Sequence, residues 1–298
     1  MELRHLRYFI AVAEELSFTR AAQRLNTAQP SLSQQIQDLE REVGTPLLTR
    51  TKRNVALTVA GHAFLDAARL TLAQAHNAVA NARRAADLEG HKLTVGFVPA
   101  AEIKIFPGVL TLLRESFPNL NLQLQALTSL EQRVALIRGD IDIAFMRQPL
   151  NEPGLMTKTV LSEQVVAVLP ADHPLASQEE INLHELASTP FLEISPLHGG
   201  QLFDTIHEHL RETGLTLKTV QQVKNVLTLF TLIGLGVGFS LMPDYAESLL
   251  FRNVTTRRLT GKPIEVDLIM AWREDNQSSE AAQFCSLVNS FATSYNRS

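Results

Sequence analysis

The chain reads as a helical head, one long helix and an α/β body, and three patterns predict it. Apolar residues recur at helical spacing through residues 3–44. A seven-residue apolar repeat runs from Leu65 to Ala86. From Gly90 onward, short apolar strands alternate with amphipathic helices. The fold class is therefore α plus α/β. The 298-residue chain leaves about 200 residues after Glu89, which suits two small α/β subdomains better than one.

Each element follows from local chemistry. Leu3, Leu6, Phe9, Ile10, Val12 and Ala13 give one face of a helix over 3–15. Ser17 is placed to cap a short second helix, whose Ala21, Ala22 and Leu25 permit tight packing. After a turn at Asn26–Thr27, a third helix begins near Pro30 and ends at Gly44. Its inward stripe is Leu32, Ile36 and Leu39. The other side carries Gln29, Ser31, Ser33, Gln34, Gln35 and Gln37, polar and uncharged. Residues 45–57 read as a β-hairpin with a basic tip containing Arg50, Lys52 and Arg53.

Thr58 can cap the long helix, which runs to about Glu89. Its seam is Leu65, Ala68, Leu72, Ala75, Val79, Ala82 and Ala86, spaced alternately three and four apart. A seam with such small residues calls for a partner helix. The alternative is that the helix lies on its own domain.

In the body the expected order is strand 92–98, helix 102–116, strand 121–127, helix 129–138 and strand 141–146. Strands 165–170 and 190–194 follow, then a helix from about Gln201, a helix over 226–235, strands 237–243 and 264–272, and a last helix over 279–294. This alternation predicts mostly parallel sheets, with a break near 163–165 and a return crossing near 264. The expected domains are thus 1–58, 59–89 and 90–298, the last divided into 90–163 with 265–298 and 164–264. A cleft between two such subdomains is a natural small-molecule site.

The composition is that of a soluble globular protein, 45% hydrophobic and 19% charged, with formal net charge −4. The charge is uneven. Residues 1–60 hold eight Lys/Arg and six acids, net +2, leaving −6 for the rest. A basic head on an acidic body suits a nucleic-acid module. One cysteine, Cys285, excludes an intrachain disulfide, and the N-terminus does not read as a signal peptide, so a cytoplasmic location is expected. The uncharged run Asn225–Pro243 approaches a membrane span in length. Three glycines, two threonines and a serine interrupt it, and it reads as a buried helix entering a buried strand.

Residues 3–61, LRHLRYFIAVAEELSFTRAAQRLNTAQPSLSQQIQDLEREVGTPLLTRTKRNVALTVAG, resemble the winged helix-turn-helix of LysR-type transcriptional regulators. The segments GDIDIAFMR (Gly139–Arg147), DHPLA (Asp172–Ala176) and GLGVGFSLMP (Gly234–Pro243) extend the resemblance along the chain. The opening MELRHLRYF and the GFVPAAE segment resemble the branch controlling aromatic-acid catabolism, most similar to regulators of phenylpropionate/cinnamate degradation, with benzoate/muconate regulators as cousins. The resemblance implies a dimer or tetramer on a palindromic promoter site, activation with RNA polymerase as a further partner, and a periplasmic-binding-protein-like body that holds an inducer.

The resemblance places the third helix in the major groove. Gln and Asn can pair with adenine edges, and Ser can give or accept. Gln29, Pro30, Ser33, Gln34 and Gln37 are the expected base readers, with Ser31 and Gln35 left open between base and solvent. Where this chain has Gln34, many family members carry Arg, which makes a guanine preference doubtful there. Thr19 and Arg20 at the second helix, and Arg50, Lys52 and Arg53 on the wing, are expected on phosphates, with Arg53 in the minor groove.

Expected inducer contacts come from strand ends: Val98, Pro99 and Ala100; Thr128 and Ser129 at a helix start; Arg147 for charge; and His198, Gly199, Gly200 and Gln201, with bare glycine amides, at another helix start. Phe203 and Val226 are candidate apolar wall. Arg147 has a second reading as half of an internal ion pair, Thr128 as a helix cap alone, His198 as an exposed loop histidine. In benzoate/muconate-type relatives a serine at the Ala100 position bonds a ligand carboxylate. Ala100 cannot, which favours a single-carboxylate aromatic acid.

Enzyme chemistry finds no foothold, and no metal or cofactor is expected. GLGVGF imitates a dinucleotide fingerprint through Gly234, Gly236 and Gly238, but it follows a helix and enters a strand. His207 and His209 lie two apart on a helix, on different faces. Asp172-His173-Pro174 reads as a turn, and Cys285 as core. A solute-binding protein would account for the body alone, and a coiled-coil protein for Leu65–Ala86 alone.

Overall fold

Proline and glycine punctuation, capping side chains and apolar stripes set the elements of the computed structural model, which describes residues 1–50, 55–85, 92–147, 150, 152–249, 251–276 and 278–295. The chain divides into two compact units, residues 1–88 with 137–139 and residues 89–136 with 140–298.

In the head, α1 (Leu3–Glu15) buries Leu6, Phe9, Ile10 and Val12. Ser17 Oγ accepts from the Arg20 amide at 3.3 Å and opens α2 (Phe18–Arg24), whose Ala21 and Ala22 are buried. α3 (Gln29–Val43) starts with Pro30 in its first turn and stops at Gly44. Leu32, Ile36 and Leu39 are fully buried, each contributing about 1.5–3 kcal/mol by removal from water. The hairpin follows as β1 (Leu48–Arg50) and antiparallel β2 (Val55–Leu57). Thr58 Oγ1 accepts from the Gly61 amide at 2.9 Å and starts α4 (Val59–Ala85).

The seam on α4 divides. Leu65 and Ala68 are buried in the head's own core, Leu72 packs at its edge, and Phe64 stands edge-on to Phe9 at 5.3 Å. The expectation of one continuous partner-facing seam is therefore corrected for this half, because α4 begins by covering α1. Ala75 is half-buried and Val79 and Ala82 are exposed; Ala86 lies outside the described residues.

The body runs β3 (Lys92–Phe97), α5 (Pro99–Lys104), α6 (Phe106–Ser116), β4 (Asn121–Ala126), α7 (Ser129–Arg138), β5 (Ile143–Met146), β6 (Leu155–Pro170), β7 (Glu180–Ile181), β8 (Phe191–Ile194) and α8 (Pro196–Gly199). It continues with α9 (Gln201–Glu212), β9 (Thr219–Val223), α10 (Val226–Gly234), β10 (Ser240–Pro243), β11 (Val254–Leu259), β12 (Glu265–Arg273) and α11 (Ser279–Tyr295). The single helix expected over 102–116 is two helices. Pro107 has no amide to donate, so it sits in the first turn of a new helix rather than inside an old one.

Among the described residues the larger sheet has eight strands, in the order β4-β3-β5-β12-β6-β11-β7, with β10 also on β6. It is mixed rather than mostly parallel. β3 runs parallel to β4 and β5, but β12 is antiparallel to both β5 and β6, and β10 and β11 are antiparallel to β6. β6 also starts at Leu155 rather than Val165. Its first half, to Gln164, pairs with β12; its second half, from Val165, pairs with β10 and β11. The Val165 amide donates to the Ile264 carbonyl at 2.8 Å where the partners change. One strand thus serves two lobes. The first lobe is cored by an edge-to-face run, Phe97–Phe106–Phe145–Phe284, with centroid spacings of 5.2, 5.8 and 6.0 Å. In the second, Phe191 and Phe239 meet at 5.3 Å beside β8. The uncharged run 225–243 becomes α10 and β10, and among the described residues no helix is long and apolar enough to cross a membrane.

Candidate functional site: a polar helix face and a ligand cleft

On α3, Gln29, Pro30, Ser31, Gln34 and Gln37 are exposed, and Ser33 is half-buried. Gln34 Nε2 donates to Asp38 Oδ1 at 3.0 Å, and Arg41 pairs with the same carboxylate. Gln35 is engaged elsewhere: its Oε1 meets His5 Nε2 at 3.1 Å, tying α3 to α1. Thr19 and Arg20 are exposed at the start of α2, and the Arg20 guanidinium bonds the Glu15 carbonyl. Arg50 is not a free wing cation. It donates to Glu40 Oε2 at 2.7 Å and Ser33 Oγ at 3.4 Å, and lies over the Phe18 ring at 4.9 Å. The other Glu40 oxygen accepts from the Leu47 and Leu48 amides at 2.9 and 3.0 Å. Expected on a phosphate, Arg50 instead lies against α3 with its charge already matched by Glu40, whose carboxylate ties the hairpin to α3. Lys52 and Arg53 lie outside the described residues.

The body holds a cavity of about 380 Å³ between its two lobes. Val98, Pro99, Ala100, Thr128, Ser129 and Arg147 line it from one side; His198, Gly199 and Val226 line it from the other. Gly200, Gln201 and Phe203 do not line it. Phe203 stacks on His207 at 4.1 Å and faces a neighbouring groove.

The local geometry revises several expected roles. The glycine amides are not bare, because α8 uses them: Gly199 N donates to the Ser195 carbonyl at 2.8 Å, Gly200 N to that of Pro196 at 2.9 Å. Gly200 serves conformation instead, with φ 53° between two helices. His198 Nδ1 is held by Ser195 Oγ at 2.9 Å. Arg147 is 5% exposed and pairs with Glu163, and its guanidinium also donates to the Val266 carbonyl at 3.3 Å. Glu163 is approached as well by Lys104 at 3.4 Å, and Lys104 bonds Asp244. Arg147 is thus the internal ion pair, the second of its two readings, and its charge is spoken for. Its amide donates to Ser129 Oγ at 3.1 Å, so Ser129 is engaged too.

Thr128 is capped by the protein itself. Its amide and hydroxyl both donate to Glu131 Oε2 at 2.8 Å, and Glu131 N donates back to Thr128 Oγ1 at 3.3 Å. These bonds from Thr128 hold the Glu131 carboxyl below its usual range, assisted by His198 and against a small effect of burial. Tyr245, also on the wall, is pushed far up by burial, with Arg147 opposing and Glu163 adding, so it stays a neutral hydroxyl. The sequence reading missed Glu131, Lys224, Asn225 and Tyr245 on this wall, and the apolar Ile194, Leu202 and Met242. Glu131 had a signal, the T-x-x-E spacing of a capping box. Lys224 and Asn225 directly precede α10, whose start Asn225 caps by accepting from Thr228 N at 2.8 Å. Burial raises the Cys285 thiol to about 12, leaving it protonated and no nucleophile.

A three-helix head with a hairpin wing, and a two-lobed body with a closed-in cleft, define a ligand-responsive DNA-binding regulator. The chain belongs to the LysR family of transcriptional regulators. Residues 3–62 match the family model described as the bacterial regulatory helix-turn-helix protein of the lysR family, and residues 86–291 match the LysR substrate binding domain. It is 40% identical over 288 residues, 97% of each chain, to the Hca operon transcriptional activator HcaR of Escherichia coli (strain K12). Among solved structures it is similar to full-length BenM (TM-score 0.61, 28% identity, covering 99% of this chain and 98% of that one). It is also similar to full-length CbnR complexed with its target DNA (TM-score 0.59, 26% identity, covering 98% and 100%). The protein is a DNA-binding transcriptional regulator with an effector-binding domain, and not an enzyme.

Proposed function

We propose that this regulator is an activator working in the cytoplasm as a dimer or tetramer on a palindromic promoter site, with RNA polymerase as a partner, and that its effector is a small aromatic monocarboxylic acid of the cinnamate or phenylpropionate kind. The observation that carries the effector reading is the cavity: about 380 Å³, with an apolar wall of Val98, Ile194, Leu202, Val226 and Met242 beside polar groups that include Thr128, Glu131, His198 and Lys224. That volume and lining suit one ring with a short polar tail. The name of the Hca operon activator supports activation. The exposed half of the α4 seam, Val79 and Ala82, supports pairing with a second copy, and a two-fold dimer reads a palindrome. The division into 1–58, 59–89 and 90–298 is retained, and the change of partners along β6 supports splitting the last into lobes 90–163 plus 265–298 and 164–264.

Base reading is assigned to Gln29, Pro30, Ser33, Gln34 and Gln37, and phosphate contact to Thr19, Arg20, Lys52 and Arg53. A gel shift tests this: Gln34→Ala is expected to weaken operator binding while sparing non-specific binding, and Arg53→Ala to weaken both. Unchanged operator affinity in both variants overturns the assignment. Calorimetric titration with cinnamate, benzoate and muconate tests the effector, and tightest binding by muconate overturns it.

A further inference from the structure

With Arg147 buried against Glu163, the cleft must find its positive charge elsewhere. Lys224 supplies it. It lines the cavity from the second lobe, between β9 and the cap of α10, and it is exposed. Among the described residues its ammonium makes no hydrogen bond or ion pair. Opposite in charge, Glu131 lines the same cavity from the first lobe, and its carboxylate already takes the Thr128 amide and hydroxyl. The groups at the start of α7 that would receive a ligand carboxylate are therefore occupied by one of the protein's own. The cleft is polarised, with a free cation on one lobe, a fixed carboxylate on the other and apolar wall between.

We infer that Lys224 binds the effector's anionic group and that Glu131 restricts the effector to one such group. This rests on the reading of the cleft as the effector site. A ligand with an acid at one end places it on Lys224 and its apolar body between Val226 and Leu202 on that lobe and Val98 and Ala100 on the other. A second carboxylate at the far end meets Glu131, which is held ionised, and must displace it from Thr128 or suffer like-charge repulsion.

The test is calorimetric titration of the full-length protein with cinnamate, neutral cinnamamide, hexanoate and trans,trans-muconate, against wild type, Lys224→Gln, Lys224→Arg and Glu131→Gln, with thermal melts to establish folding. Loss of a charged hydrogen bond predicts that Lys224→Gln weakens cinnamate about 10- to 100-fold and leaves cinnamamide unchanged. Lys224→Arg restores most of the loss. Glu131→Gln, which keeps an acceptor for Thr128, improves muconate about tenfold with little effect on cinnamate. Wild-type binding of cinnamate that Lys224→Gln does not alter overturns this inference and leaves the aromatic-acid reading standing. No gain of muconate in Glu131→Gln overturns the part assigned to Glu131. Lys224-dependent binding of hexanoate without cinnamate supports the inference and overturns the aromatic reading. Binding of none of the acids overturns both.

Discussion

Glu40→Ala is the sharpest test of how the wing is held. One carboxylate does three things: it accepts from the amides of Leu47 and Leu48 at 2.9 and 3.0 Å and pairs with Arg50 at 2.7 Å. Leu47 and Leu48 are 0% and 4% exposed, so water cannot freely replace the lost acceptor. A buried donor left unsatisfied costs about 1–3 kcal/mol. The two amides share one oxygen, so their costs do not simply add, and the half-exposed ion pair contributes about 1 kcal/mol or less. Together these give about 2–4 kcal/mol for opening the turn between α3 and β1. At about 1.4 kcal/mol per factor of ten, hydrogen-exchange protection of the Leu47 and Leu48 amides should fall roughly 30- to 1000-fold in the full-length variant. Arg50→Gln leaves the carboxylate in place and should change that protection by no more than about fivefold. Operator affinity should follow the same order, because only Glu40→Ala frees the hairpin to leave α3. Protection in Glu40→Ala within about threefold of wild type would falsify the lock.

Two further perturbations follow from the same structure. A methyl at Gly238 would stand 2.2 Å from the Pro190 carbonyl oxygen, with the Phe239 amide bonded to that oxygen at 3.0 Å, so the backbone cannot retreat without losing the bond. Gly238→Ala should destabilise the body by about 1–3 kcal/mol, lowering its melting temperature by about 2–4 °C per kcal/mol; an unchanged melt rules out the close packing. Glu14 is drawn up by burial, but hydrogen bonds and charge from Arg69 and Arg24 outweigh this and hold its pKa below 4.5. A depressed carboxyl stabilises the fold above the unfolded value and loses that contribution as pH falls through the folded one. Glu14→Gln should therefore be less stable than wild type at neutral pH and should converge with it as pH falls through the lowered folded pKa of Glu14. Parallel pH–stability curves for the two proteins would contradict the pairing.

The head was legible because its signals are local. Caps, a proline in a first turn and the 3-4 spacing of Leu32, Ile36 and Leu39 each act within one or two turns, and the sequence carries them whole. The seam on α4 was legible as a pattern but not as an allocation. Leu65 and Val79 look alike in sequence, yet one is 8% exposed and the other 53%, because the helix packs on the head's core only as far as Leu72. Periodicity reports which residues share a face, not what covers that face. The first half of β6 escaped for a related reason. Its residues Met156, Thr157, Lys158 and Thr159 are exposed and show no apolar run, and it is a strand because β12 pairs with it from Glu265 to Arg273. That is a contact across roughly a hundred residues, and no local propensity encodes it.

The choice left open at Arg147 descends from that missing half-strand. An arginine ending a buried strand beside a predicted cleft must have its charge answered, by a ligand or by the protein. Its partner, Glu163, lies on the part of β6 that the sequence did not reveal as a strand, so the two were never seen to face each other. Once β6 is continuous, Glu163 falls at the register position opposite Val266, whose carbonyl also bonds Arg147, and the pair closes on both sides. Removing Glu163 would strand the buried Arg147 charge, at about 3–5 kcal/mol, which makes the pair a fixed part of the cleft wall rather than a site for exchange. The cleft's free charge then has to come from a residue that folding does not need, on a surface where water already solvates it. Lys224 is exposed, unpaired and on the opposite lobe, so a ligand that answers its charge gains contacts with both lobes only when the cleft is filled. A buried arginine could bind an acid tightly yet leave the lobes indifferent to it. An exposed lysine across the gap ties recognition of the acid to the arrangement of the two lobes, which is the differential affinity that any effector-driven change requires.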